Sequence, residues 1–232
     1  MTQKTCVIIG GGRGMGAAAA REMHTRGYRL VLMSPSASCT DLAQDLGGVA
    51  HQGRAENASD IEAIIALAMD VTGRIDAVLI NVGGPPKGDL LDLSEADWDT
   101  ANEMVLKPVI RVAKLVTPIM EAQGGGSIVN ITSYSAAEPS LMFSTSSVYR
   151  AGVSAFTKLF SDRYGPANIR MNCLLPGFTD SLDVGKFADQ AALKRIARAE
   201  EQGKAAAFLL SEDSSYITGQ SLRADGGLTR SM

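Results

Sequence analysis

The run Gly10-Gly11-Gly12-Arg13-Gly14-Met15-Gly16 carries the plainest chemistry in this chain. It stands between the apolar residues Val7-Ile8-Ile9 and the helix-favouring Ala17-Ala18-Ala19-Ala20. Glycines allow a tight turn and let backbone N–H groups approach a phosphate with no Cβ in the way, while a helix N-terminus beneath adds positive partial charge. The same residues would serve as a plain strand-to-helix turn. Their place between a buried strand and a helix in a βαβ pattern favours a dinucleotide site instead, with Gly10, Gly12, Arg13, Gly14, Met15 and Gly16 around the pyrophosphate.

A second signal follows Leu30-Val31-Leu32-Met33, which ends at Ser34-Pro35-Ser36. NAD sites usually place a carboxylate there to accept from the ribose 2′-OH. None stands here, whereas Arg13 offers a cation that would pair strongly with a 2′-phosphate. The expectation is NADP, with Ser34 beside the ribose; NAD stays open, and so does an Arg13 that points into solvent. Metal chemistry has little material: three cysteines without CxxC spacing and two distant histidines, His24 and His51. No metal site is expected, and three free thiols suit a reducing compartment.

The elements that must position these residues alternate. Strands are predicted at Thr5–Gly10, Arg29–Met33, Val49–Gln52, Asp76–Asn81, Ser127–Ile131, Arg170–Leu175 and Ser221–Ala224. Helices are predicted at about Met15–Arg26, Thr40–Leu46, Ser59–Val71, Glu95–Gln123, Thr145–Tyr164 and Glu200–Leu210. Ser59 with Glu62, and more weakly Ser94 with Asp97, read as capping boxes. Pro108 and Pro118 should bend the long fourth helix or shift its ends. Strict strand–helix alternation implies right-handed parallel crossovers and a sheet covered on both faces. Val78-Leu79-Ile80 fits, because it does not alternate with polar residues. With 232 residues and no linker or repeat, the expectation is a single domain, residues 1–232.

Composition narrows the class. At 45% hydrophobic and 20% charged, the chain can build a core. The net charge is −3, and no basic block suggests a nucleic-acid partner. No apolar run reaches membrane-spanning length, and the N-terminus lacks a signal peptide's pattern, so a soluble cytoplasmic protein is expected.

Five motifs in order resemble the short-chain dehydrogenase/reductase family along nearly the whole chain: the glycine loop, Asn81-Val82-Gly83-Gly84, Ser127-Ile128-Val129-Asn130-Ile131-Thr132-Ser133, Pro176-Gly177, and the C-terminal Tyr216-Ile217-Thr218-Gly219-Gln220 with Ala224-Asp225-Gly226-Gly227. The resemblance implies an α/β Rossmann-type doubly wound parallel sheet of about seven strands, with helices on both faces. It also implies a homodimer or homotetramer, and cofactor contacts from Asn81, Gly83, Arg150, Pro176, Gly177 and Thr179.

The family's catalytic set maps unevenly. Its serine falls on Ser133. Its Tyr-x-x-x-Lys falls on Ser146 and Arg150, and its asparagine on Val105. An aliphatic hydroxyl is a weaker acid than a phenol, though Ser146 could still donate to an oxyanion. Arg150 keeps its charge and could fork two donors onto ribose hydroxyls or an oxyanion; a structural ion pair is the alternative. Ser146 and Arg150, four apart, share a helix face. Tyr149 is a further catalytic candidate, against packing on a neighbouring helix or subunit; Tyr134 would line the substrate mouth, and Met142 and Phe143 either make that mouth apolar or belong to the core. Lys87, in a Gly/Pro-rich loop, either meets an anionic substrate or is a solvated surface lysine.

The implied activity is hydride transfer between nicotinamide and a carbonyl or alcohol substrate, with an atypical Ser133/Ser146/Arg150 site. Two other readings remain: a non-catalytic dinucleotide-binding protein, and a halohydrin-dehalogenase-like lyase, whose family has Tyr where this chain has Ser146 and a halide pocket in place of the glycine loop.

Overall fold

The computed structural model describes residues 3–181 and 185–231. Seven parallel strands form one sheet in the order β3-β2-β1-β4-β5-β6-β7. They are β1 (Thr5–Ile9), β2 (Arg29–Ser34), β3 (Val49–Gln52), β4 (Ala77–Asn81), β5 (Gly126–Ile131), β6 (Ile169–Pro176) and β7 (Ser221–Ala224). The helices are α1 (Gly14–Thr25), α2 (Ser38–Asp45), α3 (Ala58–Thr72), α4 (Glu95–Gln123), α5 (Ser144–Tyr164) and α6 (Ala199–Leu210). This is the expected Rossmann-type arrangement.

Burial on both faces explains the unbroken apolar strands. Val7 and Ile9 of β1 point into one core, with Ile61 and Ile64 of α3, Val105 and Val112 of α4, and Val153 of α5. Cys6 and Ile8 point the other way, into a core built with Ala19 and Met23 of α1, Leu42 of α2 and Ala206 of α6. Side chains that alternate across a strand fill two cores from one apolar sequence. Val105 is thus a core residue, which accounts for an aliphatic side chain there.

Two local expectations need correction. The Ser59/Glu62 capping box does not form: α3 begins one residue earlier, behind Asn57, and Asp60 takes the Arg54 backbone N–H and the Asn57 amide. The Ser94/Asp97 box does form, with the Ser94 hydroxyl accepting from Asp97 N and the Asp97 carboxylate accepting from Ser94 N. Nor do Pro108 and Pro118 shift the ends of α4, which runs through both. Of the weakly patterned 177–198 stretch, residues 182–184 lie outside the described residues; 185–190 form a short 3-10 turn.

Helix α1, which carries the glycine loop, leans on α6 at Gly203. A Cβ at Gly203 would stand 2.7 Å from the Ala18 carbonyl carbon and from its Cβ. Gly203→Ala gains roughly 1 kcal/mol of helix propensity. Overpacking against backbone should outweigh that gain and leave a net loss of about 1–2 kcal/mol. Urea denaturation reads the difference, and an unchanged or raised midpoint would contradict so close a contact.

Candidate active site

At the carboxyl ends of β1 and β4 the chain leaves the sheet in opposite directions, since β1 neighbours β2 on one side and β4 on the other. Ligands of open α/β sheets bind at this switch point. Gly10 N and Gly11 N both donate to Met33 O, at 2.8 and 2.9 Å, so the loop turns tightly over the end of β2. Side chains are excluded there: a Cβ at Gly10 would overlap Asn81 O, and one at Gly16 would overlap Gly10 O. The N-cap of α1, Arg13, supplies no side-chain cap, and the first turn holds no acid. The N–H groups of Gly14, Met15 and Gly16 are therefore first-turn donors without an intrahelical partner. An uncapped, acid-free helix start behind a turn without room for side chains fits a phosphate.

The end of β2 is hydroxylic. Ser34 is buried, its Oγ donates to Ser36 O at 2.9 Å, and a Cβ at Gly12 would overlap the Ser34 and Ser38 hydroxyls. Arg13 is exposed and forms no ion pair among the described residues. Several other candidates turn inward. The Asn81 amide donates to Gly10 O at 3.1 Å and ties β4 to the glycine loop. Gly177 packs on Asp225, where a Cβ would stand 2.9 Å from its Cα. Thr179 is buried, and its hydroxyl donates to Gly177 O at 3.3 Å. Pro176 closes β6.

Around α5 the structure joins three candidates. Ser133, at the end of β5, is half-buried, and its Oγ accepts from Ser135 N at 3.2 Å and Ser135 Oγ at 3.1 Å. With both lone pairs engaged, its own proton is left to donate outward. Ser146 is buried in the first turn of α5, and its Oγ accepts from Arg150 Nε at 3.0 Å. That bond is charge-assisted and leaves the Ser146 proton free.

Arg150 differs from expectation. Its Nη1 donates to Ile131 O and Thr132 O, at 2.9 and 3.0 Å, and its Nη2 donates to Gly83 O at 3.2 Å. With Nε on Ser146, four of its five N–H groups are taken. A two-donor fork onto a ribose or an oxyanion is not available; a single N–H is. It is not an ion pair either, because no carboxylate meets it among the described residues. Burial pulls its pKa down to about 10, which keeps it charged at neutral pH.

Tyr149 faces away: its ring lies 6.1 Å from that of Trp98 on α4 and packs into the core. Tyr134 sits beside Ser133, with Phe143 at 6.2 Å and Phe178 at 5.5 Å between ring centroids. Burial among these rings pushes its phenol pKa up, so it is no readier an acid than free tyrosine.

The motif Ser133-x-Ser135 could have pointed to the supporting hydroxyl of Ser135, a short-range serine turn. The carbonyls that hold Arg150 and the rings of Phe178 and Phe187 gave no sequence signal.

The family description "Enoyl-(Acyl carrier protein) reductase" matches residues 10–229. Dehydrogenase/reductase SDR family member 4 of Pongo abelii is 32% identical over 98% of this chain and 88% of its own. The chain belongs to the short-chain dehydrogenase/reductase family. Cis-4-hydroxycyclohexanecarboxylate dehydrogenase of Sinomonas cyclohexanicum is also 32% identical, over 98% of this chain and 97% of its own. The crystal structure of YwfH, an NADPH-dependent reductase involved in bacilysin biosynthesis, covers 100% of both chains with a TM-score of 0.93 and 26% identity. In this chain the glycine turn and Ser133 follow the carboxyl ends of β1 and β5, parallel strands of one sheet. No helix among the described residues is long and apolar enough to cross a membrane.

Arg150 supplies the site's internal scaffold, and removing it strands buried carbonyls. Arg150→Met should lower stability by roughly 2–4 kcal/mol, the range for several lost hydrogen bonds to a charged donor. Arg150→Lys, with three donors but no planar fork, should recover only part of it. Guanidinium melts of the three proteins provide the comparison; equal midpoints for Arg150→Met and wild type would refute the clamp.

Proposed function

We propose that the protein is an NADP(H)-dependent oxidoreductase that interconverts a small carbonyl compound and its alcohol. The observation that carries this reading is the uncapped start of α1 beneath a turn that excludes side chains, next to a β2 end rich in hydroxyls and free of carboxylates. The NADPH dependence named for YwfH and the dehydrogenase activity named for the Sinomonas relative support it.

A nicotinamide dinucleotide, when bound, supplies or accepts the hydride. Residues Gly10 to Gly16 would hold its pyrophosphate, and Arg13 with Ser34 would meet the adenosine ribose and its 2′-phosphate. Asn81, Gly83, Pro176, Gly177 and Thr179 would shape the nicotinamide end. Arg150 would add there the one N–H that it does not spend on the chain.

Ser133 and Ser146 would hydrogen-bond the substrate oxygen, each with the one proton its own partners leave free. As negative charge develops on that oxygen, Ser146 is the better donor, because the Arg150 N–H on its Oγ stabilises a serine oxygen that is giving up its proton. Arg150 thereby partly offsets the weak acidity of an aliphatic hydroxyl. Solvent would return the proton. The glycine turn keeps the free backbone donors of a phosphate cradle, which favours a dinucleotide over a halide pocket in its place. A homodimer or homotetramer working in the cytoplasm completes the proposal.

Two measurements test it. NADPH should bind at least tenfold more tightly than NADH, and Arg13→Ala should remove most of that preference; a preference for NADH would overturn the 2′-phosphate assignment. In single-turnover hydride transfer across a panel of ketones, aldehydes and keto-esters, Ser133→Ala and Ser146→Ala should each cost on the order of 10²-fold, the usual scale for one lost oxyanion donor. Tight NADPH binding with no turnover of any panel member would instead support a binding protein that does no chemistry.

A further inference from the structure

The loop after β4 carries Lys87, and two hydroxyls from the start of α5 fasten it on either side. Thr145 Oγ1 donates to Pro86 O at 2.6 Å, and the Ser144 hydroxyl shares its one proton between Leu141 O at 3.0 Å and Gly88 O at 3.2 Å. Ser146 is the next residue on that helix. The fastening sets the Lys87 ammonium over the face of Phe143, 5.2 Å from the ring centroid. A lysine held on a ring face sweeps less space than a free one. It also forms no ion pair among the described residues. Asp89, two residues on, turns its carboxylate to the Leu91 N–H.

The surface beside this cation is apolar. Phe143 leads through Tyr134 to Phe178, which stacks on Phe187 at 4.5 Å. Leu141 and Met142, adjoining Phe143 in sequence, are 77% and 48% exposed. Large exposed apolar side chains gathered at a cleft are informative where scattered ones are not. Phe143 is the N-cap residue of α5 and Ser146 lies in its first turn, so the cation and the reacting hydroxyl are both placed at the start of that helix.

We propose that the substrate is an oxo acid, or the matching hydroxy acid, with an apolar skeleton: its carboxylate faces Lys87 and its skeleton lies on Phe143, Tyr134 and Phe178. The Lys87 ammonium carries one positive charge, which matches the one negative charge of a carboxylate. The assignment deepens the oxidoreductase reading, since it takes Ser133 and Ser146 as the reacting end.

The test uses 4-oxocyclohexanecarboxylate and its neutral ethyl ester, titrated calorimetrically into the full-length protein with NADP+ present. The acid should bind at least fivefold more tightly than the ester. Lys87→Gln should abolish that difference, Lys87→Arg should keep it, and neither should change ester binding. Equal affinity of acid and ester for the wild type, a difference that survives Lys87→Gln, or no binding of either at millimolar concentration would each overturn the proposal. NADPH oxidation with the ester reads the redox reading separately. Ester turnover without a Lys87-dependent preference would sink only the substrate class. Lys87-dependent acid binding without hydride transfer to either probe would sink only the redox reading.

Discussion

A guanidinium taken out of water, with no carboxylate among the described residues to meet it, is the constraint on which the site depends. Desolvation of an unpaired charge is expensive, and it is tolerated only where other dipoles replace the water. Arg150 finds them in the carbonyls of Ile131, Thr132 and Gly83 and in the Ser146 hydroxyl. These acceptors lie at the end of β5, just past the end of β4 and in the first turn of α5. One side chain thus fixes three segments of chain relative to one another. A lysine could not do so, because its donors radiate from one point while the guanidinium presents them in a rigid plane. The carbonyl oxygens gain as well: each points a negative dipole into a region where a positive charge is permanently held.

The sheet then decides what stands opposite that clamp. Because the order reverses between β1 and β4, the loops after these strands part and leave a crevice at their carboxyl ends. The Asn81 amide spans that parting, from the last residue of β4 to Gly10 O, and the glycine turn is held again from β2 by Met33 O. The phosphate cradle and the arginine clamp are therefore built on adjacent strands, joined by hydrogen bonds that no loop movement needs to remake. Close packing of α1 on α6 at Gly203 supports the cradle from behind.

What could be read from the sequence, and what could not, follows the range of the interactions. Apolar periodicity is a local signal, and so β3, α4 and β7 begin and end where the sequence pattern says, although neither β3 nor β7 is fully buried. Capping is also local, yet Ser59 misled, because α3 starts behind Asn57 and leaves Ser59 inside the first turn, while Asp60 reaches back to Arg54 and Asn57. Arg150 was legible as a residue of interest but not in its role: whether a guanidinium faces a ligand or backbone carbonyls depends on chain 18, 19 and 67 residues away. Tyr149, weighed between catalysis and packing on a neighbouring helix, is a related case. Its position on the helix was known, but the ring of Trp98 that receives it belongs to another element.

The start of α5 shows how the same sequence signal can hide several roles. Ser144-Thr145-Ser146-Ser147 reads as one hydroxyl run, and a helix start favours such residues as caps. None of them caps this helix. Ser144 and Thr145 reach the loop after β4, Ser147 accepts from the Ser140 N–H at 3.3 Å, and Ser146 takes the arginine. Because the hydroxyls are used elsewhere and no acid stands in the first turn, the positive end of the α5 dipole is not neutralised by a side chain. Three sources of positive potential then gather on one side of the cleft: the helix start, the buried Arg150 and the tethered Lys87. The chain as a whole is acidic, with a net charge of −3, so this field is a local construction. In the proposed reaction, negative charge grows on a carbonyl oxygen beside Ser146. A preset positive field there needs no reorganisation as the charge appears, which is the condition under which hydroxyls too weak to act as free acids can still serve as proton donors.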